Sequence, residues 1–259
     1  MGSTPLRTML NWATRERHSG NPLLASNPLK GMRPPVEKNP KRPVETYDRY
    51  LSLISVAGEV DWRLPLALSL AESTGQRISS ILGLQRRDVD LDRGPSGRVL
   101  FRAENQKTGF EHWVPLSEEC RGYALRHLEH VEEDPKAWIF PAQQDRARPI
   151  DKWTMSNALR RLYRHAGVEK LVGGLWHPWR RKWATERKDM PLRDVAAAGG
   201  WRDPTTLLKC YQQPDEDTIE RVVLDAPKLM SRPVRGVEVT PKVTPRAGEA
   251  SGKDRRKAG

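Results

Sequence analysis

The sequence predicts a mixed α+β fold, mainly α-helical, with a small antiparallel β-hairpin or sheet. Three observations carry that expectation. Apolar residues recur at helical spacing in most segments from residue 44 to residue 225. Only two runs, 98–103 and 112–116, alternate as strands do. Turn signals such as Ser73-Thr74-Gly75-Gln76, Gly199-Gly200 and Asp203-Pro204 cut the remainder into short helices.

Composition sets the outer bounds. A chain of 259 residues holds one large domain or two small ones. Its 45 Lys and Arg against 33 Asp and Glu give a net charge of +12 and a pI near 9.9. Such a balance favours a polyanionic partner, nucleic acid first, although ribosomal and membrane-surface proteins share it. No apolar run approaches the ~18 residues of a membrane span, and the first residues carry no signal-peptide pattern. Cys120 and Cys210 are too few for a disulfide framework, which suits a reducing cytoplasm.

The elements follow in order. Residues 5–18 form a helix with Leu6, Met9, Leu10 and Trp12, stopped at Ser19-Gly20-Asn21-Pro22. From there to Pro43 the chain is rich in Pro, Asn and Lys, and reads as an extended basic linker. Its Lys41 and Arg42 are candidates for DNA contact. The expected organisation is therefore a helix and linker over 1–43, a compact domain over 44–225 and a disordered basic tail over 226–259.

Within the compact part, residues 46–56 form an amphipathic helix with Tyr47, Tyr50, Leu51 and Ile54 on one face. A more apolar, buried helix spans 62–72. After the turn at Gly75, a helix over 77–84 turns Ile78, Ile81 and Leu82 inward. Arg77 stands at its start, where the helix dipole disfavours a cation, so something else requires it there. The Asp88-Val89-Asp90-Leu91-Asp92 run fails as a calcium loop. Its Gly falls at 94, and Val99 occupies the place of the bidentate Glu, leaving a solvated turn.

The strands 98–103 and 112–116 make a hairpin with Lys107 at its tip, a position usually held by a solvated charge. Residues 117–130 form a helix with Leu125 and Leu128 inside. Its Cys120, His127 and His130 lack a fourth metal ligand and read as packing residues. Residues 138–141 form a short buried segment. Helix 154–166 buries Leu159, Leu162 and Tyr163. Its Arg160, Arg161 and Arg164 either follow a phosphate backbone or form a merely solvated face.

The most unusual stretch runs from His177 to Tyr211. It reads His177-Pro178-Trp179-Arg180, with His177 as N-cap, Pro178 at the first helical position and Arg180 in the first turn. A short helix over 192–198 then ends on Gly199-Gly200. A third, opened by Asp203-Pro204, delivers Tyr211 near its end. A His, an Arg, Trp201 and a Tyr, all able to hydrogen-bond a phosphate, thus arrive on three short helices.

Taken in order, Thr74-Gly75-Gln76-Arg77, Lys107-Thr108-Gly109 with Val114-Pro115-Leu116, His177-x-x-Arg180, Gly200-Trp201 and Tyr211 resemble the motifs of the tyrosine recombinase (phage integrase) family. The resemblance covers roughly residues 44–214. It implies a tyrosine-recombinase catalytic domain that cuts DNA through a 3′-phosphotyrosyl intermediate, on double-stranded DNA, self-associating as a tetramer, with no metal or cofactor. It also implies roles. Arg77 and Arg180 clamp the phosphate two-pronged, and Trp201 donates its indole N–H. His177 assists proton removal from Tyr211, the nucleophile. Lys107 protonates the leaving oxygen.

Two departures from the family pattern stand out. The acidic residue often found three positions after the first Arg is Ser80 here, which makes Ser80→Glu an expected neutral or activating change. The N-terminal helical domain of the family has at most a remnant in residues 5–18, so the chain resembles a catalytic fragment or an unusually short member. After Tyr211, residues 217–224 form one more amphipathic helix, which in the family docks on a neighbouring protomer. Two rival readings stay open: a non-catalytic DNA-binding remnant, and a type IB topoisomerase-like enzyme.

Overall fold

A computed structural model of the chain describes residues 3–32, 42–107, 109–214 and 216–225. They belong to two compact units, 1–213 and 214–259. In the second, α-helix Glu216–Leu224 forms as the sequence predicts; the expected tail over 226–259 lies outside the described residues.

The first unit begins with α1 (Ser3–Ala13), shorter than expected. The next stretch is not an extended linker as far as Met32. A two-residue hairpin, β1 (Arg17–His18) with β2 (Asn21–Pro22), turns through Ser19 and Gly20, both at positive φ. The chain then folds back on α1. The Leu24 N–H donates to the Ala13 carbonyl at 3.0 Å, and the Asn27 amide reaches Asn11 at 2.6 Å. Asn27 also accepts from the Leu29 N–H, so a segment too polar for a core satisfies its backbone by turns. Lys41 lies outside the described residues.

The main core is built around α4 (Leu64–Thr74). Leu64, Leu66, Ala67, Leu68, Leu70 and Ala71 are all buried on it, and a helix apolar on every side must be enclosed on every side. The enclosing elements are α2 (Tyr47–Ile54), α3 (Ala57–Val60), α5 (Ile78–Leu82), α6 (Glu118–Leu128), α7 (Lys152–His165) and α8 (His177–Glu186). The face of α2 differs from expectation. Tyr50, Leu53 and Ile54 point inward while Tyr47 and Leu51 are exposed. On α6 the inward residues are Cys120, Ala124 and His127, with Leu125 exposed. In both helices the buried stripe lies about one residue round from the one read by hydrophobicity alone.

The strands form a three-stranded antiparallel sheet rather than a lone hairpin: β3 (Val89–Asp90), β4 (Arg98–Phe101) and β5 (His112–Pro115), with Val99 opposite Val114. Asp88, expected in a solvated turn, is buried; it accepts from the Gln85 N–H and pairs with Arg102 at 3.1 Å. Two short helices, α9 (Leu192–Ala198) and α10 (Pro204–Cys210), complete this unit. Asp203 caps α10 by accepting from the Thr205 N–H.

His127 is a structural group. Its ring stacks on Trp62 at 4.6 Å, and Nε2–H donates to the Ile139 carbonyl at 2.7 Å. Burial, with His130 and Arg63 nearby, pushes its pKa down to about 4. The unfolded chain, with an ordinary imidazole near ~6.5, therefore binds the proton first. The stability tied to neutral His127 is complete above that value and is lost as pH falls toward 4, by up to ~3 kcal/mol. In urea titrations, stability is expected to fall over this window, and His127→Gln to remove part of the fall. Equal pH slopes in both proteins would refute the assignment.

Candidate active site

The site starts from a turn in which every residue has a stated task. Thr74 ends α4 with its hydroxyl on the Leu70 carbonyl, and the Gln76 N–H returns to that hydroxyl at 3.3 Å. Gly75 follows at φ +62, in the left-handed region. A side chain there would also strike Trp183, since an added Cβ would lie 2.6 Å from its ring. The turn swings the chain so that Arg77 caps α5 from extended backbone, with its side chain free of the helix.

Helix α8 delivers the second guanidinium. His177 opens it behind Trp176, one residue earlier than expected, and Pro178 sits in the first turn, where its missing N–H costs nothing. Residues Pro178 to Ala184 are all buried, so most of the motif is core. Trp179 packs edge-on to Tyr50, Lys182 pairs with Glu72 and Glu186 at 2.6 Å, and the Trp183 indole donates to the Ser73 carbonyl. Arg180 is the exception. It is 1% exposed and, among the described residues, has no carboxylate partner. Its Nη1 donates to the Gly75 carbonyl at 2.5 Å and the Gly199 carbonyl at 2.8 Å. Burial, then Arg77, lowers its pKa to about 9, with the Tyr211 phenol acting in the opposite sense. It is still charged at neutral pH.

The third part rests on a stack of aromatic rings. Trp201 lies parallel to Trp183 at 5.9 Å, and its ring centre is 3.4 Å from the Arg180 guanidinium carbon. Tyr211, at the end of α10, meets Trp201 edge-on at 5.0 Å, and its ring centre is 5.3 Å from the same guanidinium. The Thr185 hydroxyl donates to the Tyr211 carbonyl. Gly199 allows the stack, because an added Cβ would fall 1.9 Å from Trp201.

Arg77, His177 and Arg180 line one cleft of about 290 Å³, with Lys152, Arg160 and Lys170 also on its wall. The His177 pKa is lowered, first by partial burial and then by Arg181, Lys152, Arg180 and Arg77; the imidazole is neutral at physiological pH. Buried donors are left over here. Among the described residues, Arg77 Nη1, Arg180 Nε and Nη2, and Trp201 Nε1 have no hydrogen-bond partner. Each such atom costs about 1–3 kcal/mol. All are donors, and an anion is the ligand that would satisfy them.

Not every expected residue joins them. Lys107 is exposed at the hairpin tip, although the adjacent Gln106 is buried and donates to Gln76 at 3.5 Å. The three arginines of α7 do not share one surface: Arg160 lines the cleft, whereas Arg161 lines a separate pocket with Asp61 and Trp62. Arg164 is exposed. The Arg42 carbonyl accepts from Gln213, two residues beyond Tyr211. Ser80 is buried, its hydroxyl on the Asn105 carbonyl at 3.0 Å. A Glu there would set a carboxylate against that oxygen, so the expectation for Ser80→Glu changes to a loss. Two participants were missed in the sequence, Gln76 and His112. Gln76 sits inside the Thr-Gly-x-Arg motif at a variable position. His112 reads only as one residue of an alternating strand.

The glycine contact yields a test. Gly199 has φ −85, open to any residue, so Gly199→Ala acts through the two stacked rings, Trp201 at 1.9 Å and Trp183 at 2.8 Å from the added Cβ. The substitution is expected to cost about 1–3 kcal/mol by overpacking. In the double variant with Trp201→Ala the extra cost of the methyl should shrink, leaving only the Trp183 contact; full additivity in denaturant titrations would mean that Trp201 is not what Gly199 accommodates.

Comparison with known proteins gives a family and a fold. The model of the phage integrase family matches residues 46–217. The fold is similar to solved recombinases. For XerA recombinase, the TM-score is 0.59 at 23% identity, over 76% of this chain and 68% of that one. A lambda integrase dimer bound to a COC′ core site gives 0.58 at 20%, over 81% and 58%. XerH on a palindromic difH substrate, a post-cleavage complex, gives 0.61 at 17%, over 85% and 63%. The chain thus spans less than two thirds of the lambda integrase and XerH chains. No curated protein matches significantly. With the family model covering most of its length, from α2 through the segment bearing Tyr211, the chain belongs to the phage integrase family.

Proposed function

We propose that this protein is a site-specific DNA recombinase that cuts and rejoins double-stranded DNA through Tyr211. The observation that carries the reading is the set of unpartnered buried donors on Arg77, Arg180 and Trp201, with the Tyr211 ring against the same guanidinium. The Tyr211 hydroxyl attacks the phosphorus and the bond to the 5′ oxygen breaks, leaving a 3′-phosphotyrosyl ester. His177, neutral at physiological pH, takes the phenolic proton. Lys107 gives a proton to the departing 5′ oxygen. The arginines and the Trp201 N–H hold the charge that gathers on the non-bridging oxygens. Lys152, Arg160 and Lys170 extend the cationic wall along flanking phosphates. The reaction takes place on DNA in the bacterial cytoplasm, with several protomers assembled, as the lambda integrase tetramer is on a Holliday junction.

A nicked suicide duplex carrying the cognate site tests this. The short 5′ fragment diffuses away and traps the intermediate, so wild type is expected to show a slower band on a denaturing gel. Tyr211→Phe should give no band while DNA affinity stays within about twofold, since one hydroxyl adds little to the grip. Arg180→Ala should slow band formation by about 10²–10³. An adduct that survives in Tyr211→Phe would refute the assignment.

A further inference from the structure

The carboxamide of Gln76, the residue just before Arg77, is shared among three elements. Its Nε2 donates to the Ala198 carbonyl at 3.0 Å, the last residue before the Gly199-Gly200 turn. The same nitrogen lies 2.9 Å from His112 Nε2 on β5. Its Oε1 accepts from Gln106, next to Lys107, at 3.5 Å. Gln76 is 3% exposed and Gln106 6%. Two donors and one acceptor are thus all engaged, and the donor character of the amide makes His112 Nε2 the acceptor of a neutral ring. Gly200 closes on this pair from the other side: at φ +68, a Cβ would lie 3.0 Å from the His112 ring and 3.2 Å from Gln76 Oε1. Phe110 stacks on His112 at 5.3 Å. Both stems of the loop bearing Lys107 are therefore fastened to one amide, which also fixes the turn leading to Trp201.

We infer that Gln76 and His112 are positioning residues for the general acid, holding the loop of Lys107 over the phosphate that Arg77 and Arg180 clamp. The inference rests on the proposed function. Lys107 itself is exposed, so its aim depends on the two loop stems. A loose loop loses protonation of the 5′ oxygen, whereas the phosphate clamp and the nucleophile stay in place.

Leaving-group chemistry separates this role from a purely structural one. A substrate with sulfur in place of the bridging 5′ oxygen expels a thiolate, which carries off the bonding electron pair and needs no proton. On ordinary DNA, His112→Leu and Gln76→Leu are expected to cut at least about tenfold more slowly than wild type. The DNA affinity of His112→Leu should be unchanged. On the sulfur substrate the deficit of His112→Leu should shrink to within about threefold, as it should for Lys107→Ala but not for Arg180→Ala. Gln76→Leu, which also frees the turn before Trp201, should recover only in part. His112→Gln, which keeps an acceptor, should recover much of the ordinary rate and guards against a folding defect in His112→Leu. If Lys107→Ala is rescued by sulfur while His112→Leu is not, the positioning role is overturned and the recombinase reading stands. If Lys107→Ala is not rescued, Lys107 is not the acid and the inference falls with it. Full activity of His112→Leu on ordinary DNA would overturn it directly.

Discussion

One buried guanidinium holds this site together. Arg180 ties the carbonyl of Gly75, at the end of α4, to the carbonyl of Gly199, at the end of α9. Those turns precede Arg77 and Trp201 respectively, so a single side chain sets the distance between the two. It does so without a carboxylate partner among the described residues, at a cost that a solely structural bridge would avoid by salt-bridging or by being apolar. Lys182, two residues further along α8, shows the alternative: it is equally buried and is paired with Glu72 and Glu186. A helix that neutralises one cation and leaves its neighbour without a counter-charge leaves that neighbour open to an anion.

The supports around Arg180 are apolar for the same reason. Trp183 and Trp201 stack beneath the guanidinium, and Tyr211 closes the small cluster to which Val195, Ala196 and Leu207 contribute. The two indole rings exclude water and supply no competing acceptor, which leaves the Tyr211 phenol as the side-chain acceptor beside the guanidinium. The glycines at 75 and 199 permit the rings to approach the backbone this closely. Preorganised donors in a site of this kind need little rearrangement when charge develops on a bound phosphate.

Much of this was legible in the sequence. The order of motifs named Arg77, His177, Arg180, Trp201 and Tyr211 as candidates, and the turn signals at Gly75, Gly199 and Asp203 placed the helix ends within about two residues, the ordinary margin for such boundaries. What could not be read was the direction of side chains around each helix. Tyr47, Leu51 and Leu125 look like core residues by hydrophobicity and are exposed, while Lys182 and Arg181 look like solvated charges and are buried. Tertiary partners decide those cases, and they lie far away in the chain. Gln76 and His112 were invisible for the same reason: their pairing spans 36 residues and leaves no local pattern. The N-terminal turns were missed because a Pro-rich stretch with no core can still close hydrogen bonds onto a neighbouring helix.

The central claim is that Arg180 is a charge kept for a phosphate, and ligand-linked stability tests it without any DNA chemistry. An anion that binds only the folded protein raises its melting temperature, by an amount that grows with the logarithm of its concentration once the site is filled. Inorganic phosphate is expected to raise the melting temperature of wild type above that in chloride of equal ionic strength. Arg180→Lys, which cannot make the two-pronged contact, should lose most of that difference. An equal phosphate effect in both proteins would contradict the claim and assign the binding to the exposed cations instead.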